Sequence, residues 1–276
     1  MAATRSIIVT GGASGIGLGI TKHFITEPNT HITLVDINST TGAQTLETLR
    51  KEFPSANVSF EQCDVSSWES QVEVFMKVFD QQGRIDIVFA NAGITEKGTL
   101  LPERDGDETK GPVKPDLSTL NVNLIGVLYS VKLATHYMSF NRDPTTRSKG
   151  LIVCTASNAG LYPFAMAPMY AATKSGVIGL VRSLAEPLES EKIQINALAP
   201  AVIETNIAPS SALFKSMILT PMSTATNAVA QFVADPSLTG RVAELHGERV
   251  TFAEPPAYVD EDTGKNIAMF SSLGYA

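Results

Sequence analysis

The chain has 276 residues, 43% of them hydrophobic and 18% charged, with a formal net charge of -7. That length and apolar content suffice for a large core, and one domain is a better reading than two small ones. The acidic balance argues against a nucleic-acid partner held through phosphates, which requires a basic surface.

The only cysteines, Cys63 and Cys154, both lie inside apolar runs. That suits small buried side chains in a reducing compartment better than a disulfide framework. His23, His31, His136 and His246 are scattered without the spacing of a zinc site, so no metal is expected. Residues 1–5 carry no long apolar run, and no stretch reaches the roughly 18 apolar residues of a membrane span. The expectation is a soluble, cytoplasmic protein without a membrane partner.

Short apolar runs recur at 6–10, 31–35, 58–61, 85–90, 151–155 and 193–199. They are too continuous for strands wetted on one face, and their spacing leaves room for a helix between each pair. Helices are expected at 15–25, 40–52, 67–82, 117–140 and 169–189, those near Ser39 and Ser66 beginning beside good capping residues. This is the pattern of a single-domain Rossmann fold, a doubly wound α/β sheet of about seven mostly parallel strands with helices on both faces. Residues 99–115 are long and rich in breakers for a strand-to-helix connection and read as a surface excursion, and 141–150 as a shorter polar turn. Residues 203–222, rich in Ser, Thr, Pro, Met and Leu, lie where a substrate lid would sit, although an ordinary connector has the same composition. The tail, 253–276, follows a possible last strand at 249–253 and holds a short helix from about Asp260. Its aromatic end, Phe270 and Tyr275, is expected to pack on this chain or a sister subunit.

The first strand runs into Thr10-Gly11-Gly12-Ala13-Ser14-Gly15-Ile16-Gly17, where the first helix starts. Glycines at 11, 15 and 17 allow a sharp turn, close approach to a pyrophosphate and tight helix–strand packing, with the helix N-terminus facing the anion. Asp36 closes the second strand. A carboxylate there accepts hydrogen bonds from ribose hydroxyls and repels a 2'-phosphate, which selects NAD over NADP. Further on, Tyr170 and Lys174 stand four residues apart, on one face of any helix, with the Ser157 hydroxyl upstream. The pair suits a phenol whose pKa Lys174 lowers for proton exchange with an alcohol or ketone. It also suits a helix whose Tyr packs and whose Lys snorkels.

Taken in order, the Thr10–Gly17 turn, Asp64-Val65, Asn91-Ala92-Gly93, Asn123, Ser157, Tyr170 and Lys174 resemble the short-chain dehydrogenase/reductase family over roughly residues 6 to 205. Within it, stretches 62–65, 83–87 and 196–205 look most like the branch of NAD-dependent 15-hydroxyprostaglandin dehydrogenase. The resemblance implies that Asp64 and Val65 hold the adenine and that Asn91, Ala92 and Gly93 line the cofactor trough. It also implies that Gly11, Ser14, Gly15, Ile16, Gly17, Asp36, Ile37, Pro200, Ile203 and Thr205 contact NAD. Lys174 would bind the nicotinamide ribose with Tyr170, and Asn123 would support a water-mediated proton relay. Two positions depart from the pattern. The usual Pro-Gly is Pro200-Ala201, whose side chain should narrow the trough, and the glutamine three positions before the active tyrosine is Ala167.

With Leu161, Tyr162, Phe164, Met166 and Met169 nearby, Ala167 implies a bulky, mainly apolar alcohol bound between Ser157, Ala167 and Tyr170. The expected activity is NAD-dependent interconversion of a secondary alcohol and a ketone, in secondary metabolism. Tyr170 would be the acid/base and Ser157 the oxygen stabiliser. The family likeness further implies a homodimer or homotetramer built on 117–140 and 169–189. A ketone reductase, an isomerase using NAD transiently and a non-catalytic dinucleotide sensor are the alternatives.

Overall fold

The apolar runs form strands because each is flanked by helices on both faces of one sheet. A computed structural model describes residues 4–102, 111–141, 148–205, 207 and 211–273. Its strands are β1 (Arg5–Thr10), β2 (Thr30–Asp36), β3 (Asn57–Gln62), β4 (Ile87–Ala90), β5 (Gly150–Thr155), β6 (Ile193–Pro200), β7 (Val242–His246) and β8 (Arg249–Phe252). They form one sheet in the order β3-β2-β1-β4-β5-β6-β7-β8, parallel throughout except for the antiparallel β7–β8 pair. The order reverses beside β1 and β4, so a crevice opens at their C-terminal ends, where this class of sheet binds ligands.

The helices are α1 (Gly15–Phe24), α2 (Ser39–Glu52), α3 (Trp68–Gln82), α4 (Ser118–Leu120), α5 (Gly126–Ser139), α6 (Pro168–Ser190), α7 (Met222–Ala234) and α8 (Glu261–Ser272). A π turn, Asn121–Ile125, joins α4 to α5 in the region expected to be one continuous helix. One core layer packs Phe75 of α3, Val131 and Met138 of α5 and Val177 of α6 on the sheet. The opposite layer packs Ile20 and Phe24 of α1, Leu49 of α2 and Phe232 of α7.

The sheet has eight strands, one more than the periodicity suggested. β7 was not evident because Glu244 and His246 interrupt it, and both are only half-buried in this penultimate strand. The 249–253 run is β8, which turns back through Gly247 at φ 55° and closes that edge antiparallel. α7 was also missed, although Ala225, Ala228, Val229 and Phe232 give it a buried face at helical spacing. The caps lie one residue away from those expected: Asn38 accepts from Thr41 N, and Ser67 from Ser70 N. Asp260 caps α8 as the tail reading implied.

In the 99–115 excursion the described parts hold neither helix nor strand, and 103–110 lie outside the described residues. So do 142–147 of the polar turn, 206 and 208–210 of the expected lid, and Tyr275. The 203–222 segment contains a short 3-10 turn, Ser211–Ser216. Among the described residues no helix is long and apolar enough to cross a membrane.

One buried polar knot fixes α3 against the start of α5. Gln71, 1% exposed, donates to Val65 O at 2.6 Å and to Gly126 O at 2.9 Å, while Ser130 donates to its Oε1 at 2.7 Å. Gly126 is required there, since a β-carbon would stand 2.9 Å from Val65 O. Gln71→Leu removes the side-chain donor to Val65 O, while Gly126 O and the Ser130 hydroxyl keep each other at 3.0 Å; one unmet buried carbonyl costs about 1–3 kcal/mol. Urea unfolding should show a loss of about 1–3 kcal/mol, and no measurable loss would mean that the knot is not what holds these helices together.

Candidate active site

The C-terminal ends of β1, β4 and β5 meet around two side chains. Thr10 Oγ1 accepts from Asn91 N at 2.9 Å and Ala92 N at 3.0 Å and donates to Phe89 O. Asn91 Nδ2 donates to Thr10 O at 3.0 Å, and its Oδ1 accepts from Thr155 Oγ1 at 3.0 Å. Asn91 is therefore a crosslink between three strand ends as well as a wall residue. Gly11, at φ 63°, lies so close that a β-carbon would meet Ala92 Cα at 2.9 Å. A β-carbon on Gly17 would meet Gly11 O at 2.3 Å. These two glycines let α1 sit directly on the turn.

A cavity of about 330 Å³ runs along this edge. Its lining includes Gly11, Ser14, Gly15, Ile16, Asp36, Ile37, Asp64, Val65, Asn91, Ala92 and Gly93, then Ser157, Tyr170, Lys174, Pro200, Ile203 and Thr205. Of the expected site residues, Gly17, Asn123 and Ala167 do not line it. Cys63, Ile94, Val122, Thr155, Ala156, Ala201 and Ile207 do so and were not assigned as site residues, although Ala201 was expected to narrow the trough. Thr155 announced itself only as the last residue of an apolar strand.

The cavity fits an extended dinucleotide on three observations. Ser14 begins α1 without a side-chain cap, which leaves the first-turn amides for an anion. Gly15, at φ 52°, faces Thr205, where a β-carbon would close to 3.1 Å. Asp36 accepts from Ala13 N at 3.4 Å and Asn38 N at 3.1 Å, which fixes its carboxylate in the wall.

At the other end, Lys174 is 2% exposed and its ammonium donates to Thr155 O at 2.7 Å. Burial pushes its pKa down to about 8. Its Nζ stands 5.4 Å from the centre of the Tyr170 ring. Burial pushes the Tyr170 phenol above its ordinary value, and a hydrogen bond with Ser157 pulls the other way. Of the two influences on the phenol burial is the larger, and the Lys174 ammonium is turned to the Thr155 carbonyl. Beneath them the Cys154 thiol is pushed up to about 12 by burial and is neutral.

Asn123 is fully buried on the π turn. Its Oδ1 accepts from Ile94 N and its Nδ2 donates to Ile94 O, both at 2.8 Å. The amide ties the loop after β4 to the helix. A β-carbon on Gly93 would stand 3.3 Å from Asn123 Oδ1 and 3.6 Å from Lys174 Nζ, so the three groups are neighbours. Ala167 is buried at the N-terminus of α6. Among its neighbours, Met169 is buried and Leu161 packs on the core, while Tyr162, Phe164 and Met166 are exposed. The Tyr162 hydroxyl donates to Glu244 at 3.1 Å.

The fold and this edge site define a dinucleotide-binding α/β enzyme. A family model for short chain dehydrogenases matches residues 5–215, and the chain belongs to the short-chain dehydrogenase/reductase family of oxidoreductases, whose members bind a nicotinamide dinucleotide and act on small molecules. It is 34% identical over 199 residues to the short-chain dehydrogenase/reductase prx7 of Penicillium rubens, covering 71% of this chain and 68% of that one. ATR7 of Stachybotrys chlorohalonatus is 39% identical over 212 residues, which are 76% of this chain and 59% of the relative. Human 15-hydroxyprostaglandin dehydrogenase [NAD(+)] is 32% identical over 202 residues, 72% of this chain and 68% of that one. Among solved structures, levodione reductase superposes with a TM-score of 0.74 at 25% identity, covering 89% of this chain and 97% of that one. An actinorhodin polyketide ketoreductase with NADPH shares the fold, with a TM-score of 0.74 at 22% identity over 88% of this chain and 96% of that one.

The lowered pKa of Lys174 sets a stability test. Because the folded value lies below that of the unfolded chain, burying the ammonium costs stability below about pH 8, and this cost fades as pH rises toward 10.5. Lys174→Met removes the cost along with one hydrogen bond. It should stabilise the protein at pH 7 by up to about 3 kcal/mol, at about 1.36 kcal/mol per pH unit, with the gain shrinking in alkali. Urea melts across pH that show Lys174→Met less stable at pH 7 would contradict this.

Proposed function

We propose that the protein is an NAD-dependent oxidoreductase interconverting a secondary alcohol and a ketone on a bulky, mainly apolar small molecule. The observation that carries this reading is one cavity with Asp36 in its wall at the end of β2 and Ser157, Tyr170 and Lys174 together at the other end.

Bound nicotinamide supplies the carbon that takes or gives the hydride. Glycines 11 and 15 and the open first turn of α1 would receive the pyrophosphate. Asp36 would accept from the adenosine ribose hydroxyls, and its charge disfavours an added phosphate there; Ile37 beside it brings no cation. Ser157 holds the substrate oxygen, and Tyr170 exchanges the proton with it. Lys174, at the ribose end, keeps its proton near neutral pH and supplies positive charge beside the phenol. Asn123 reaches the site only by holding the Ile94 loop, so any part it has in a proton relay passes through backbone and water rather than its doubly bonded amide.

Support for an apolar substrate comes from the exposed Tyr162, Phe164 and Met166 between Ser157 and Tyr170, and from the exposed Met217, Ile218 and Leu219 of the segment read as a lid. A second reading, reduction of a ketone, is favoured by the raised pKa of Tyr170: a phenol held protonated is ready to donate.

Two outcomes test the assignment. Tyr170→Phe should bind NAD nearly as wild type yet lose turnover by about 10²–10⁴-fold, read by absorbance of the reduced nicotinamide across a panel of alcohols and ketones. Undiminished rates would remove Tyr170 from the chemistry. For the cofactor, kcat/KM should be higher with NAD than with NADP. Asp36→Ala should raise the KM for NAD about tenfold or more, the worth of a charged hydrogen bond, and narrow that preference; a wild-type enzyme preferring NADP would refute the role given to Asp36.

A further inference from the structure

Helix α6, which carries Tyr170 and Lys174, begins without a cap of its own. Ala167 stands at its N-cap and offers no acceptor, and Pro168 at the first helical position has no N–H. The first bond within the helix is Ala171 N to Ala167 O at 2.9 Å. The amides of Met169 and Tyr170 are thus left without helical partners, and one side chain from far along the chain takes both. Glu96 Oε1 accepts from Met169 N at 3.1 Å and Oε2 from Tyr170 N at 2.6 Å.

Glu96 is itself held on both sides. Asn123 grips the backbone of Ile94, Lys97 N donates to Thr119 Oγ1 at 2.9 Å, and Thr119 donates back to Thr95 O at 3.2 Å. The loop leaving β4 also carries Asn91 and Gly93 of the cavity wall. The carboxylate therefore joins the wall of the trough to the helix bearing the phenol, at the amides of Met169 and of Tyr170 itself.

We propose that Glu96 is the positioning residue of this site, its carboxylate setting where the Tyr170 phenol stands relative to the cavity wall. The inference rests on the reading of Tyr170 as the acid/base. A cap alone would make the helix more stable; a tether also fixes where the helix sits. The two can be separated because a cap can be rebuilt locally. In Glu96→Ala combined with Ala167→Ser, the new hydroxyl can accept from the first-turn amides while the link to the β4 loop stays cut.

The probe is difluorotyrosine incorporated at position 170, whose ionisation falls in the range where the protein is folded and is followed by fluorine NMR, with thermal melting in parallel. Burial is what raises this phenol, with Ser157 opposing and the Lys174 ammonium nearby. Loosening the tether should therefore admit water and lower the midpoint by about one pH unit, tenfold in the ionisation constant. Glu96→Ala should show that drop together with a lower melting temperature. Adding Ala167→Ser should recover the melting temperature but not the midpoint, while Ala167→Ser alone leaves the midpoint in place. Glu96→Gln, which keeps one acceptor without the charge and is the variant to use if the alanine does not fold, should shift the midpoint less than Glu96→Ala.

A midpoint unmoved by Glu96→Ala, or restored by the local cap, would reduce Glu96 to a cap and overturn the proposal. A shift in Glu96→Gln as large as in the alanine variant would do the same, by tracing the effect to charge. Turnover is no part of this readout, so a failure of Tyr170 as acid/base would appear in Tyr170→Phe and leave the titration intact.

Discussion

The site depends on how three parallel strands end together. Their last peptide groups have no further ladder partners, and Thr10, Asn91 and Thr155 supply them. Thr10 receives two amides of the β4 loop, Asn91 spans from the Thr10 carbonyl to the Thr155 hydroxyl, and the Thr155 carbonyl receives the Lys174 ammonium. This polar chain crosses β1, β4 and β5 and ends on α6. It satisfies buried groups that would otherwise each cost about 1–3 kcal/mol, and the same bonds place the turn, the trough wall and Lys174 in register. Side chains that look like ligand contacts in sequence are thus also what holds the edge together.

Most of the sheet was legible because burial on both faces leaves a signature of largely apolar residues, and the inner strands β1, β2, β4, β5 and β6 carry it. β7 and β8 lacked it for the same physical reason in reverse. β8 forms the edge and β7 lies next to it, and in both alternate positions are less than fully buried, so Glu244, His246 and Arg249 are tolerated. α7 carries an apolar face in Ala225, Ala228, Val229 and Phe232 as marked as that of α1, so it was legible by the same periodicity and was simply not read.

The site divides along a similar line. Residues whose chemistry is carried by type and spacing, such as Asp36, Ser157, Tyr170 and Lys174, were readable, and the fold brings all four to one cavity. Residues whose part depends on a distant partner were not. Glu96 is an ordinary charged loop residue until Ala167 and Pro168, more than seventy positions later, are seen to leave two amides bare. Asn123 was read as supporting a relay through water and Ala167 as a substrate contact; their places in the fold, Asn123 gripping the Ile94 backbone and Ala167 at the uncapped start of α6, were not readable.

The electrostatics of Tyr170 and Lys174 follow from enclosing both in one dry place. Free tyrosine and lysine titrate within about half a unit of each other. Burial moves them apart by opposing the charged form of each: the phenol rises and the ammonium falls to about 8. In alkali the lysine therefore loses its proton before the tyrosine does. The chain on its own thus favours a neutral phenol beside an ammonium already committed to a carbonyl, and Ser157 offers the opposing hydrogen bond. Burial thus favours the protonated phenol and leaves the ammonium bound to the Thr155 carbonyl.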